Sequence, residues 1–178
     1  MEPDQEDIAL HMPFLEELAS KASVILELGC GKGNGSTRAL SRGMRRSAAE
    51  RKVMATVDCN PSGPDERPPD PWWFLFTADS RSSDTFWRVW NLVVEQPFRR
   101  ADLIFIDTDH TKAQVEAELN LWFPLGSSGA TWVFHDTWMM GEYNPMTDAI
   151  KEFAASHGLE FIDYSRECHG LGLMRRAK

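Results

Sequence analysis

Short, almost uninterrupted apolar runs recur along this chain, separated by longer stretches with helical spacing. The runs are Val24 to Leu28, Val53 to Val57, Trp73 to Thr77, Leu103 to Ile106 and Thr131 to Phe134. Strands that are apolar at successive residues bury both faces, so they predict a parallel sheet covered by helices on each side. Pro13 suits the first turn of a helix carrying Phe14, Leu15 and Leu18, which is expected to close a ligand pocket from above. Phe86, Trp90 and Val93 or Val94 share one helical face, and Val115, Leu119 and Trp122 share another, so both stripes are expected to pack on the sheet. A helix from Met146 to His157 precedes two further runs, Leu159 to Tyr164 and Gly170 to Arg175, which are expected to close the fold as an antiparallel pair. The pattern is that of an α/β protein.

The turn after the first run is the least ordinary part of the chain. Glu27 ends the run, and glycines follow at 29, 31, 33 and 35. Removing side chains there leaves the backbone open to a ligand where a strand turns sharply into a helix. A phosphate-cradling loop would need glycine at 26 and Ser or Thr at 33, where Leu26 and Gly33 stand. The dinucleotide pattern starting at Gly29 would need its last glycine at Asn34, and starting at Gly31 it meets Ser36. The pattern that fits is acidic-x-Gly-x-Gly-x-Gly at Glu27, Gly29, Gly31 and Gly33. A carboxylate at that strand end repels a pyrophosphate and attracts a ligand bearing ammonium and sulfonium charges. On these residues the chain resembles the class I S-adenosylmethionine-dependent methyltransferases.

Ligands of open parallel sheets collect at the carboxyl ends of the strands, and five successive runs here deliver an acid to that edge: Glu27, Asp58, Asp79, Asp107 and Asp136. Asp58 suits a ribose diol, and Asp79, followed by Ser80, suits an adenine amino group. Any one of these acids could be a helix cap or a turn residue. Five in register imply a bound cation, because gathered carboxylates otherwise raise one another's pKa. His110 and His135 stand beside Asp109 and Asp136, whereas His11, His157 and His169 have no such placement and are expected to be structural or exposed.

The segments ADLIFIDTDHTKAQVEAELNLWFPL and GATWVFHDTW are similar to the methyltransferase branch of cephalosporin-hydroxylase-like and macrocin O-methyltransferase-like proteins, itself related to catechol O-methyltransferase. The resemblance implies a Rossmann-like doubly wound, mostly parallel seven-stranded sheet with an antiparallel C-terminal strand pair and helices on both faces. It implies S-adenosylmethionine as cofactor, contacted by Glu27, Gly29, Gly31, Gly33, Asn34, Ser36, Asp58, Asp79, Ser80 and Asp107. It also implies a divalent metal, Mg or Mn, at Asp107 and Asp136, with His135 beside them as a further candidate ligand. His135 departs from the magnesium pattern, since imidazole suits Mn, Fe or Zn better; either the metal differs or His135 is no ligand. In the metal-free alternative, His110 or His135 removes the acceptor's hydroxyl proton beside Asp107.

Composition narrows the reading further. The 178 residues suit one domain, 1–178, with no apolar run approaching the ~20 residues of a membrane span. Five prolines between Pro61 and Pro71 predict an extended loop where a helix would be usual. A net charge of −8 disfavours nucleic acid, and the basic run Arg42, Arg45, Arg46, Arg51 and Lys52 is expected to be a solvated helix end. An acidic N-terminus without a secretory signal and three cysteines without metal spacing fit the reducing cytoplasm. The expected activity is O-methylation of a hydroxyl on a small molecule such as a sugar or natural product. The segment Trp138 to Met146 is expected to shape the acceptor pocket, with a second subunit of a homo-oligomer completing it. A nonenzymatic cofactor-binding protein and an NAD-dependent oxidoreductase are the competing readings.

Overall fold

The computed structural model describes residues 8–61, 70–94, 100–139 and 142–177. Helix α1 (Met12–Ala19), with Pro13 in its first turn, leads to β1 (Val24–Leu28), α2 (Ser36–Arg46), β2 (Val53–Asp58) and β3 (Trp73–Thr77). Next come α3 (Ser83–Val94), β4 (Ala101–Ile106), α4 (Lys112–Trp122) and β5 (Gly126–His135). A short ribbon of β6 (Trp138–Met139) and β7 (Glu142–Tyr143) precedes α5 (Met146–Ser156), β8 (Leu159–Ser165) and β9 (Leu171–Arg176). Seven strands form one sheet in the order β3-β2-β1-β4-β5-β9-β8. The first five are parallel, β9 runs antiparallel to β5, and β8 runs antiparallel to β9. The expected doubly wound sheet with its antiparallel closing pair is therefore present.

Alternation along β1 divides the core. Val24, Leu26 and Leu28 pack with Phe86, Val89, Val115, Leu119, Trp122 and Ile150 of α3, α4 and α5. On the opposite face Ile25 packs with Leu15 of α1 and Leu40 and Met44 of α2. Burying each such side chain stabilises the fold by roughly 1.5–3 kcal/mol, which is why continuous apolar runs mark the central strands. Because the order reverses between β1 and β4, the carboxyl ends of these strands open a crevice at the sheet's edge.

Three expectations need adjustment. Helix α1 contributes no residue to the cavity beside the glycine loop: it lies along α2, so closely that a Cβ on Gly43 would come within 2.3 Å of the Glu16 carbonyl oxygen. Strand β5 starts at Gly126, five residues before its apolar run. Its first residues, Gly-Ser-Ser-Gly, carry no strand pattern, yet Gly126 pairs with Ala101 ahead of a register shift. The basic run is not simply solvated: Arg42 and Arg46 reach Glu16, and Arg45 forms an ion pair with Asp70. Most of the proline-rich loop, 62–69, lies outside the described residues.

Candidate active site

The glycine loop is built by steric necessity. Gly29 has φ +84°, and a Cβ there would sit 1.8 Å from the Asp107 carbonyl oxygen, so β1 can turn beside the end of β4 only without a side chain. The Gly29 amide donates to the Val57 carbonyl and the Asp107 amide to that of Leu28, which locks the three strand ends together. Above them lies a cavity of about 580 Å³ lined by Gly29, Gly31, Asp58, Asp79, Ser80, Asp107 and their neighbours. That size suits a nucleoside-bearing small molecule.

Glu27, Gly33, Asn34 and Ser36 lie outside this lining. Glu27 is completely buried and accepts hydrogen bonds from the hydroxyls of Ser36, Thr37 and Thr56. Burial pushes its carboxyl up to about 7, against those hydrogen bonds. It thus ties β1 to β2 and to the start of α2 from beneath the loop. Asp58 Oδ2 accepts from the amides of Cys30 and Gly31, while Oδ1 accepts from Asn60. Asp79 is held by Arg81, whose side-chain and backbone N–H groups donate to its carboxylate; these hydrogen bonds and the charge beside it lower its pKa.

Under the cavity floor Glu118 is wholly buried and accepts from Ser80, Gln114 and Thr108. Burial raises its pKa, only partly countered by those bonds. Glu118 has no signal in the sequence beyond its place on the inward side of α4.

At the ends of β4 and β5 a second group assembles. His110 Nε2 lies 2.6 Å from Asp136 Oδ2 and 3.4 Å from Asp107 Oδ1. His135 Nδ1 lies 3.1 Å from Asp136 Oδ2 and 3.4 Å from Asp107 Oδ1. Burial alone would depress both imidazoles, but hydrogen bonds to the two carboxylates outweigh it and push His110 up to about 10 and His135 up to about 11. Burial likewise would raise both carboxyls, yet the same hydrogen bonds hold Asp107 and Asp136 below the ordinary range. Two carboxylates have therefore recruited two protons, the charge that one divalent cation carries. Imidazoles in that state donate protons and cannot accept them.

Ligand atoms of Asp107, His110 and Asp136 lie within 4.8 Å of one another, a spacing one metal ion can bridge. Asp136 is buried, and its Oδ1 accepts no hydrogen bond among the described residues. These residues fit a cation, and the mixture of imidazole and carboxylate suits the first-row transition metals.

His11 and His169, expected to be structural or exposed, converge on this cluster. His169 Nδ1 stands 3.3 Å from Asp136 Oδ1, and the His11 ring meets that of His135 edge-on with centroids 5.9 Å apart. The β8–β9 turn organises both: His11 Nε2 donates to the Glu167 carbonyl and His135 Nε2 to that of Cys168. Among the described residues the non-glycine positions with positive φ are Asp136, Cys168 and His169, all at this site. Such conformations persist only where surrounding contacts enforce them. Asn144 supplies some of those contacts. Its amide donates to the carbonyls of His110 and Asp136, and its Oδ1 accepts from the Met146 amide at the start of α5.

No helix among the described residues is long and apolar enough to cross a membrane, and no curated protein sequence matches the chain. Solved structures share its fold. A methyltransferase from Podospora anserina bound to SAH is 16% identical with a TM-score of 0.67, covering 99% of this chain and 82% of that one. The O-methyltransferase from Bacillus cereus in complex with SAH is 18% identical with a TM-score of 0.67 and the same coverages. MycE from the mycinamycin biosynthetic pathway, in complex with Mg, SAH and mycinamycin VI, is 14% identical with a TM-score of 0.62, covering 99% of this chain and 55% of that one. The family described as "Methyltransferase domain" matches residues 26–137, from the middle of β1 through the glycine loop to the residue after Asp136. With that span covering more than half its length, the chain belongs to this methyltransferase family.

Proposed function

We propose that this chain, read as one domain over 1–178, is an S-adenosylmethionine-dependent O-methyltransferase acting on a hydroxyl of a small molecule such as a sugar or natural product. The observation that carries the reading is the double membership of Asp107. It lines the cavity beside the glycine loop and also belongs to the carboxylate–histidine cluster, so methyl donor and acceptor hydroxyl would meet across one residue. The solved O-methyltransferases of this fold that hold SAH, and in one case Mg, support it.

On this reading Asp58 accepts from the ribose diol and Asp79 from the adenine amino group, each exchanging an internal partner for the ligand. Gly29 and Gly31 let the ligand reach the backbone, while Glu27 with Ser36 beneath, and Gly33 and Asn34 alongside, hold the loop's shape. Asp107, His110, His135 and Asp136 would hold the divalent cation. S-adenosylmethionine supplies an electrophilic methyl group and the cation lowers the acidity barrier of the acceptor hydroxyl. The chain itself aligns the two partners and lets the hydroxyl proton leave, as the oxygen–carbon bond forms and the sulfur–carbon bond breaks. His110 is partly exposed, and once a bound cation had displaced the proton it shares with Asp136 it would give the hydroxyl proton a route to water.

Calorimetry with SAH and NAD, followed by turnover with S-adenosylmethionine and a panel of sugar and natural-product hydroxyls, tests the reading. SAH should bind and NAD should not. Asp136→Asn should cut turnover at least about 100-fold, with SAH affinity retained. NAD binding in place of SAH, or full turnover by Asp136→Asn, overturns it.

A further inference from the structure

The cation cluster has a donor set that magnesium does not favour. Magnesium takes oxygen ligands and gives up its waters reluctantly, whereas imidazole suits Mn, Fe, Co or Zn. Two imidazole nitrogens already face Asp107 and Asp136 here. The Cys168 carbonyl accepts from His135 Nε2, so that nitrogen keeps its hydrogen and Nδ1 is the one facing the carboxylates, where a bound cation would take the place of its proton. A histidine whose outer nitrogen is fixed by a carbonyl is the usual support of a metal ligand.

The third imidazole comes from the turn that provides this carbonyl. His169 has φ +61° and follows Cys168 at φ +45°, so consecutive non-glycine residues adopt left-handed backbone. That conformation brings His169 Nδ1 to 3.3 Å from Asp136 Oδ1. This oxygen is buried, belongs to a side chain only 1% exposed, and accepts no hydrogen bond among the described residues. A buried carboxylate oxygen left without a hydrogen bond costs free energy that a ligand would recover.

We infer that the site selects a transition-metal dication over magnesium, and that His169, on the β8–β9 turn, is one of its ligands beside Asp107, His110, His135 and Asp136. This deepens the proposed function and rests on its cation site. The strained turn is then a metal-binding device that the pairing of β9 with β5 holds at the strand ends.

The test uses the metal-free full chain. Zinc and magnesium affinities are measured for wild type and His169→Ala, with the visible absorption of added cobalt(II) reporting nitrogen ligation directly. His169 is partly exposed, so its removal spares the core, and a melting curve confirms folding. His169→Ala should lose at least about tenfold in zinc affinity, keep its magnesium affinity, and change the cobalt bands. A zinc-to-magnesium ratio that is the same in both proteins, or cobalt bands unaltered by the substitution, overturns the inference. SAH calorimetry on the same samples separates the two ideas. SAH binding with no histidine-dependent metal removes only this inference, while histidine-dependent metal without SAH binding removes the methyltransferase reading and leaves the metal site.

Discussion

The two halves of the site use the same residue type in opposite ways. On the β1–β3 side every carboxylate is already occupied by its own chain: Glu27 by three hydroxyls, Asp58 by loop amides, Asp79 by Arg81. On the β4–β5 side Asp107 and Asp136 are crowded by imidazoles, and Asp136 keeps one buried oxygen without a hydrogen bond among the described residues. The first arrangement defines the shape of a loop. The second concentrates charge and leaves it for a ligand to complete. A row of acids at strand ends is therefore not one feature but two, and only the partners of each acid tell them apart.

Three substitutions sharpen or break that contrast. The largest effect is expected from Gly29→Ala, because a methyl group 1.8 Å from the Asp107 carbonyl oxygen must push β1 and β4 apart, at a φ that alanine resists. Overpacking and backbone strain together should destabilise the protein by on the order of 4 kcal/mol. Chemical denaturation measures this; a loss below about 1 kcal/mol would mean the loop is not held as tightly as its contacts require.

Glu27→Gln comes next and is a test of pH dependence. Burial raises the folded carboxyl from 4.5 to about 7, so the native state keeps its proton longer than the unfolded chain. Stability is therefore lost as pH rises from about 4.5 to about 7 and is level above that, by on the order of 3 kcal/mol. Glutamine stays neutral, so the variant should match wild type near pH 4.5 and exceed it above pH 7. Parallel pH profiles of the two proteins would show that burial does not raise the Glu27 carboxyl.

The smallest effect, about 1–2 kcal/mol, is expected from Asn144→Ala, which removes the hydrogen bond to the first amide of α5 and two clamps on the β4–β5 half. Its signature is a loss of cobalt affinity with SAH affinity retained. Equal losses for both ligands would mean the two halves are not separable.

How much of this was legible beforehand depends on distance along the chain. The central strand Val24–Leu28 announces itself because burial on both faces demands continuous apolar residues, and it matches to the residue. Trp73–Thr77 also matches in its bounds, but as the edge strand it is only partly buried, so its apolar run does not mark burial on both faces. The glycine loop is legible because a close backbone approach excludes side chains. Asp107, His110, His135 and Asp136 are legible as strand-end residues. His11 and His169 are not, since they reach the site from a turn before α1 and a turn between β8 and β9, outside the parallel strands whose ends mark it. The one hint is Gly170, where a Cβ would lie 2.6 Å from the Trp138 amide nitrogen, so that turn must press against the strand ends. Glu118 and Asn144 are hidden for a related reason: their partners lie on other elements, and no local spacing encodes them.

The antiparallel seating of β9 against β5 has a consequence for the order of events during synthesis. Residues near position 170 touch a cluster whose other members stand at positions 11, 107, 110, 135 and 136, so these contacts form only after nearly all of those residues have been joined. The pairing of β9 with β5 is what brings that turn to the strand ends, a long-range contact that local structure alone cannot form.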